Sequence, residues 1–255
     1  MEHPNRLTLP SKISYPIFVA KWEKGFAMDK KPLLNVKSLK EQVYEYLREQ
    51  LRTGAIKPGS VIDMETTSKM LGVSKTPLRD ALLQLEFEGF VTILPRRKIV
   101  VNALSLEDIR NYYEIIGALE SAAILAAIDN FKEADLKALE TLNAEMAEAL
   151  EKDDFDLYYE KNLKFHNTYL GLCGNANLLR IVNAMKKRLY DFPRQAGFVK
   201  EWEEASIGEH AELLRLFRQR SKKEAAAFIR DVHWSFKVQE KFVAKYYAKA
   251  GMAAD

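Results

Sequence analysis

The stretch from residue 72 to 101 constrains this chain most. Gly72-Val73-Ser74 forms a three-residue break between two short amphipathic segments. Glycine there supplies a turn conformation that ends one helix, and Ser74 is a natural N-cap for the next. That next helix turns Leu78, Leu82, Leu85 and Leu83 inward and stops at Gly89. Two β-prone runs come after it, Phe90-Val91-Thr92-Ile93-Leu94 and Ile99-Val100-Val101-Asn102, joined by the basic tip Pro95-Arg96-Arg97-Lys98. Upstream, Leu39, Val43, Tyr46, Leu47 and Leu51 share one helical face, opened by a Ser38/Glu41 capping box and closed by Gly54. A short helix from about Glu65 to Leu71 comes between. Helix, helix, tight turn, helix and two-stranded hairpin in that order specify a winged helix-turn-helix.

Such a core presents one helix to the major groove of a duplex. Ser74, Lys75, Thr76 and Arg79 stand at the start of that helix. Lysine and arginine donate to phosphates or to guanine O6 and N7, and threonine meets backbone or base. Arg96, Arg97 and Lys98 lie where a wing reaches a flanking phosphate or the minor groove. A helix bearing Lys75 and Arg79 alone would read as an ordinary solvated face; the turn before it and the basic hairpin after it reverse that reading.

After residue 103 the chain is mostly α. Eleven glycines and eight prolines in 255 residues are too few for a turn-rich all-β chain. Helices are expected at roughly 105–128, 132–151, 155–172, 177–191, 204–220 and 222–249, and the stripe Leu136-Leu139-Leu142-Met146-Leu150 is core. They read as an antiparallel bundle. The expected organisation is an irregular arm over residues 1–36, a winged domain over 37–102 and an all-helical domain over 103–255. The first two carry a net +3 each and the last −3. No run of 18 uncharged apolar residues exists, and the single cysteine, Cys173, forms no internal disulfide, so a cytoplasmic protein without a membrane span is expected.

Three of the four histidines, His166, His210 and His233, fall in this helical half, each beside apolar neighbours. Asn162 lies four residues before His166 and shares its helix face. Imidazoles from three helices suit a zinc, nickel, manganese or iron ion. Taken one at a time, each is as readily a hydrogen-bonded core residue. No phosphate loop, zincin helix, cysteine pair or nucleophile elbow occurs. Two rival readings remain open: a helical metal-dependent hydrolase with Glu120 or Glu209 as base, and a DNA-binding regulator whose histidine site is metal-free or purely structural.

The run Gln42-Val43-Tyr44-Glu45-Tyr46-Leu47-Arg48, then Gly54-Ala55-Ile56-Lys57-Pro58-Gly59, then Gly72-Val73-Ser74-Lys75-Thr76-Pro77-Leu78-Arg79-Asp80-Ala81-Leu82 resembles the DNA-binding domain of GntR-type transcription regulators. The rear half is similar to the helical sensing domain of their FCD branch, that of the fatty-acid and vanillate regulators. Leu119-Glu120 with Ala126-Ala127, Phe165-His166, Cys173-Gly174-Asn175, Glu209-His210 and His233 carry that likeness. The resemblance implies operator contacts at Lys75 and Arg79. It also implies a divalent metal (zinc, nickel or manganese class) held by three histidines and an aspartate, with a small carboxylate effector completing the coordination. The histidine slots match His166, His210 and His233; the aspartate slot holds Asn162, an amide that costs the site one negative charge. An arginine frequent in the first bundle helix is replaced near Ile116-Gly117, so the effector is met differently. Thr67-Ser68 replaces a usual Leu-Ala pair, and Lys98 stands near a usual wing glycine. The implied function is that of a homodimeric, non-enzymatic regulator, commonly a repressor, reading a near-palindromic operator under control of a small organic acid.

Overall fold

The computed structural model describes residues 37–95, 98–191 and 199–249. The arm expected over residues 1–36, and Arg96 and Arg97 of the wing tip, lie outside them. The described residues group as one compact unit.

Helix α1 (Leu39–Arg52) opens with the Ser38/Glu41 capping box. Its inward face is Val43, Tyr44, Leu47 and Leu51; Leu39 and Tyr46, expected inside, are exposed. Strand β1 (Val61–Ile62) leads into α2 (Met64–Leu71), capped by Asp63. Gly72 then takes the left-handed conformation at φ 65°, which a side chain adopts only with strain, and so turns the chain into α3 (Lys75–Phe87). Ser74 sits at the N-cap of α3 with an extended backbone, but its side chain makes no capping bond. Leu78, Ala81, Leu82 and Leu85 of α3 pack on α1, whereas Leu83 faces solvent.

Strands β2 (Val91–Leu94) and β3 (Lys98–Val101) form the expected hairpin. The sheet has three strands, ordered β1-β3-β2, with Val61 paired to Val100 and Leu94 to Lys98. Two residues carry no period, which is why β1 leaves no trace in the sequence.

The rear half contains α4 (Leu106–Ala127), α5 (Glu133–Glu151), α6 (Phe155–Leu172), α7 (Ala176–Asp191) and α8 (Lys200–Arg218). They share a separate apolar core that includes Ile116, Leu139, Met146, Phe165 and Phe217. The helix expected over 222–249 is broken. It runs as α9 (Lys222–Phe228), a π-helical turn (Ile229–His233) and α10 (Phe236–Lys249). The extra residue of a π turn rotates the downstream side chains about the helix axis, and such turns gather at functional sites. Here it separates His233, which faces the other histidines, from Trp234, which faces α4.

Helix α7 joins the two cores. Lys187 Nζ lies 3.5 Å from Glu88, the buried C-cap of α3, and 3.4 Å from the Tyr44 hydroxyl of α1. Arg188 donates to the carbonyls of Asn102 (3.3 Å) and Ala103 (3.0 Å) in the connection between the halves. Its guanidinium covers the Phe90 ring at 5.1 Å.

Candidate metal centre and nucleic-acid face

Ser74, Lys75, Thr76 and Arg79 are all exposed at the start of α3. Lys75 pairs loosely with Glu65 of α2 at 3.7 Å. Arg79 has no hydrogen bond or ion pair among the described residues, so its five donors are uncommitted. Lys98 is exposed at the start of β3. The four positions of α3 form one solvent-facing cationic edge, and Leu78 and Leu82 on the opposite side fix its attitude.

The three histidines converge in the bundle. His166 comes from α6, His210 from α8 and His233 from the π turn, and each offers a ligand atom within 4.8 Å of the others. All three are buried. His210 stacks on Phe165, ring centroids 4.3 Å apart. His166 Nδ1 lies 3.0 Å from Glu120 Oε2 and 2.6 Å from the Tyr169 hydroxyl. His233 Nδ1 lies 2.7 Å from Glu209, which also accepts from Gln239 at 3.0 Å. A carboxylate at Nδ1 fixes the tautomer with its proton there, so Nε2 keeps the lone pair.

Electrostatics keep the His166 and His210 rings neutral. Burial, reinforced by the Lys186 ammonium, pushes His166 down to about 3 despite Glu120. Burial and the neighbouring imidazoles hold His210 well below its ordinary value. Neutral imidazole is the form that binds metal.

Glu120 of α4 is the hub behind the cluster. One carboxylate oxygen accepts from the Tyr169 hydroxyl, from Trp234 Nε1 at 3.0 Å and from His166. The other pairs with Lys186 of α7. Burial alone would raise this carboxyl, but Lys186 and His166 hold it well below the usual range. Gly117 lets Trp234 in: a Cβ there would stand 3.0 Å from the Trp234 Cβ. Ile116 is fully buried core. Ile116 and Gly117 therefore serve packing.

The remaining candidate ligand, Asn162, is buried one helical turn before His166. Its amide nitrogen donates weakly to the Tyr190 hydroxyl at 3.5 Å, and its Oδ1 is buried without a partner among the described residues. Further along α6 and α8, Tyr159 donates to Glu203 at 2.6 Å, and burial pushes the Glu203 carboxyl up to about 7.

The donor set passes a test of fit for a divalent ion. His166 Nε2, both nitrogens of His210 and Asn162 Oδ1 are buried polar atoms with no protein partner among the described residues. Each such orphan costs on the order of 1–3 kcal/mol, and native cores contain few. One cation among the three histidines would take His166 Nε2 and one of the two His210 nitrogens. Sequence reasoning found the three histidines and Asn162. It named Glu120 and Glu209 only as bases for a rival reading and passed over Lys186. The signal for that residue was that Lys186 continues the buried face of α7 set by Leu178 and Val182 at intervals of four.

Comparison with known proteins agrees with this layout. Residues 39–101 match the family described as bacterial regulatory proteins, gntR family, and residues 111–232 match the FCD domain. An uncharacterized HTH-type transcriptional regulator of Agrobacterium vitis is 36% identical over 128 residues, 49% of this chain and 75% of its own. The uncharacterized HTH-type regulator YdhC of Bacillus subtilis is 26% identical over 72% of this chain and 83% of its own. Among solved structures, Escherichia coli McbR/YncC aligns over 84% of this chain and all of its own with a TM-score of 0.65 at 22% identity, a likeness of fold. No helix among the described residues is long and apolar enough to cross a membrane.

Proposed function

Since the chain belongs to the gntR family of bacterial regulatory proteins and carries an FCD domain, we propose that it is a DNA-binding regulator whose operator affinity is set by a small carboxylate held beside a metal in its bundle. Residues 37–102 are the reading head and residues 103–255 the effector-binding and dimerisation part. Ser74, Lys75, Thr76 and Arg79 meet the groove, with Arg96, Arg97 and Lys98 on the flanking backbone. Two copies related by a two-fold axis read a near-palindrome. Repression in the effector-free state is the arrangement proposed. Family members are transcriptional regulators and not enzymes, which sets the hydrolase reading aside.

His166, His210 and His233, with the Asn162 carbonyl oxygen, would hold the ion, of the zinc, nickel or manganese class. When bound, it supplies a positive anchor for a carboxylate. Glu120 and Glu209 do the positioning: each accepts the Nδ1 proton of one histidine and aims that ring's Nε2 inward. With an amide at residue 162, the donor set adds no charge of its own. An anionic ligand supplies the missing negative charge.

The observation that carries the regulatory reading is the run Lys186-Lys187-Arg188 in α7. Its first residue belongs to the Glu120–His166 network, and the next two hold α3 and the connection between the halves. A ligand that binds one arrangement of this run better than another shifts the head. Metal analysis of purified protein, parent beside His210→Ala, tests the centre. The expected result is about one ion per chain in the parent and loss of it in the variant. Equal content in the two removes His210 from the ligands, and a parent without metal refutes the centre.

A further inference from the structure

Lys186 and Arg188 are the buried cations among the described residues, and Arg188 is committed to backbone carbonyls. Lys186 is fully buried, and Glu120 Oε1 is the one polar partner of its ammonium among the described residues. What it has is a charge contact with one oxygen of Glu120 and the face of the Trp234 ring at 5.2 Å. An ammonium carries three donors, and each one left bare in a core is costly. Glu120, by contrast, also collects the Tyr169 hydroxyl, Trp234 Nε1 and His166 Nδ1. The acid is over-supplied with donors and the base is under-supplied with acceptors.

The ammonium also stands beside the histidine cluster: Glu120, which it contacts, lies 3.0 Å from His166 Nδ1, and the Trp234 ring that it faces has its centroid 5.8 Å from that of His166. From Gly117 to Ala127, α4 offers no basic residue. Lys186 of α7 is the buried cation that contacts the Glu120–His166 network.

Building on the reading that a ligand enters beside the histidines, we infer that Lys186 is the anion receptor of the bundle, trading its contact with Glu120 for a carboxylate of the bound acid. The ligand class is a small carboxylic acid with one carboxylate directed at α7. When Lys186 leaves it, Glu120 keeps the three neutral donors on Oε2 and gives up the charge contact on Oε1. The adjacent Lys187 and Arg188 then move with the helix that carries them.

The test uses the full chain, with and without zinc, titrated with straight-chain C2–C6 mono- and dicarboxylates while Tm is recorded. At least one acid raises the Tm of the parent. Lys186→Met weakens that acid's apparent affinity at least tenfold and leaves metal content unchanged; Lys186→Arg recovers part of it. Because Lys186→Met alone strands Glu120, the double variant Glu120→Gln/Lys186→Met removes both charges and serves as the folded control, with the same loss of acid binding expected. Undiminished acid affinity in the double variant overturns the inference, as does a parent whose Tm no acid raises. Zinc retention reports separately on the metal reading. A chain that holds no zinc yet binds acid through Lys186 refutes the centre and keeps this inference.

Discussion

The reading head and the bundle each pair a lysine with a glutamate, and the two pairs do opposite things. On the head, Glu65 meets Lys69 at 2.9 Å and Lys75 at 3.7 Å, and all three side chains are more than half exposed. In the bundle, Glu120 meets Lys186 with both side chains at 0% exposure. Water screens the first pair, so Lys75 is released to another partner at little cost. The second pair has no water, and each charge depends on the other. Exposure suits the head to trade contacts with DNA, and burial suits the bundle to the ligand response proposed for it.

The largest expected effect breaks that contrast directly. Glu120→Ala leaves the Lys186 ammonium buried alone and is expected to cost about 3–5 kcal/mol of unfolding free energy. Glu65→Ala on the head leaves the urea midpoint unchanged. Chemical denaturation of both variants checks the pair, and equal midpoints would show that the two environments are not distinct.

The second prediction concerns pH. Glu203 has its carboxyl pushed from 4.5 up to about 7 by burial. Between those values the folded state holds a proton that the unfolded state has released. Stability therefore falls as pH rises from about 4.5 to about 7 and levels off above, by on the order of 3 kcal/mol for this group. Glu203→Gln removes that slope in a comparison of urea midpoints at pH 5 and pH 8. A variant with the parental slope would assign the dependence elsewhere.

On the head, Arg79→Ala is expected to lose about 1–3 kcal/mol of specific binding if it reads a base. If it meets only phosphate, the loss is alike on all sequences and the salt slope shrinks by about one. Fluorescence anisotropy on selected and scrambled duplexes separates the two, and undiminished binding on both takes Arg79 off the interface. The smallest effect on stability belongs to Lys187→Ala, a half-buried residue at 3.5 Å from Glu88, at under about 1 kcal/mol. Its expected signature is lost response of the head to acid with the acid still bound.

The contrast also explains how much of each region was legible in the sequence. The head is written in local order: a cap, an apolar period, Gly72, a second helix and a hairpin, all within 64 residues from Ser38 to Val101. Exposed side chains such as Lys75 and Arg79 stand out against that period. In the bundle the period locates helices and the resemblance locates three histidines, but partners come from far along the chain. Glu120 and Lys186 are 66 positions apart, and nothing local marks them as a pair. The π turn escapes because its residues continue a helical pattern and only the packing of His233 and Trp234 on different neighbours demands an extra residue. Tyr44 replaces Tyr46 in the head core through its bond to Glu88 at 2.5 Å, a tertiary partner that periodicity does not contain.

The most direct measurement is the affinity of the full chain for a duplex selected from a random library, taken with zinc alone and with zinc plus the acid that raises its Tm. Coupling between bundle and head of about 1–3 kcal/mol changes that affinity roughly 5- to 150-fold, and His210→Ala abolishes the change. An affinity that stays the same with the acid bound would separate the buried centre from the reading head and contradict the account.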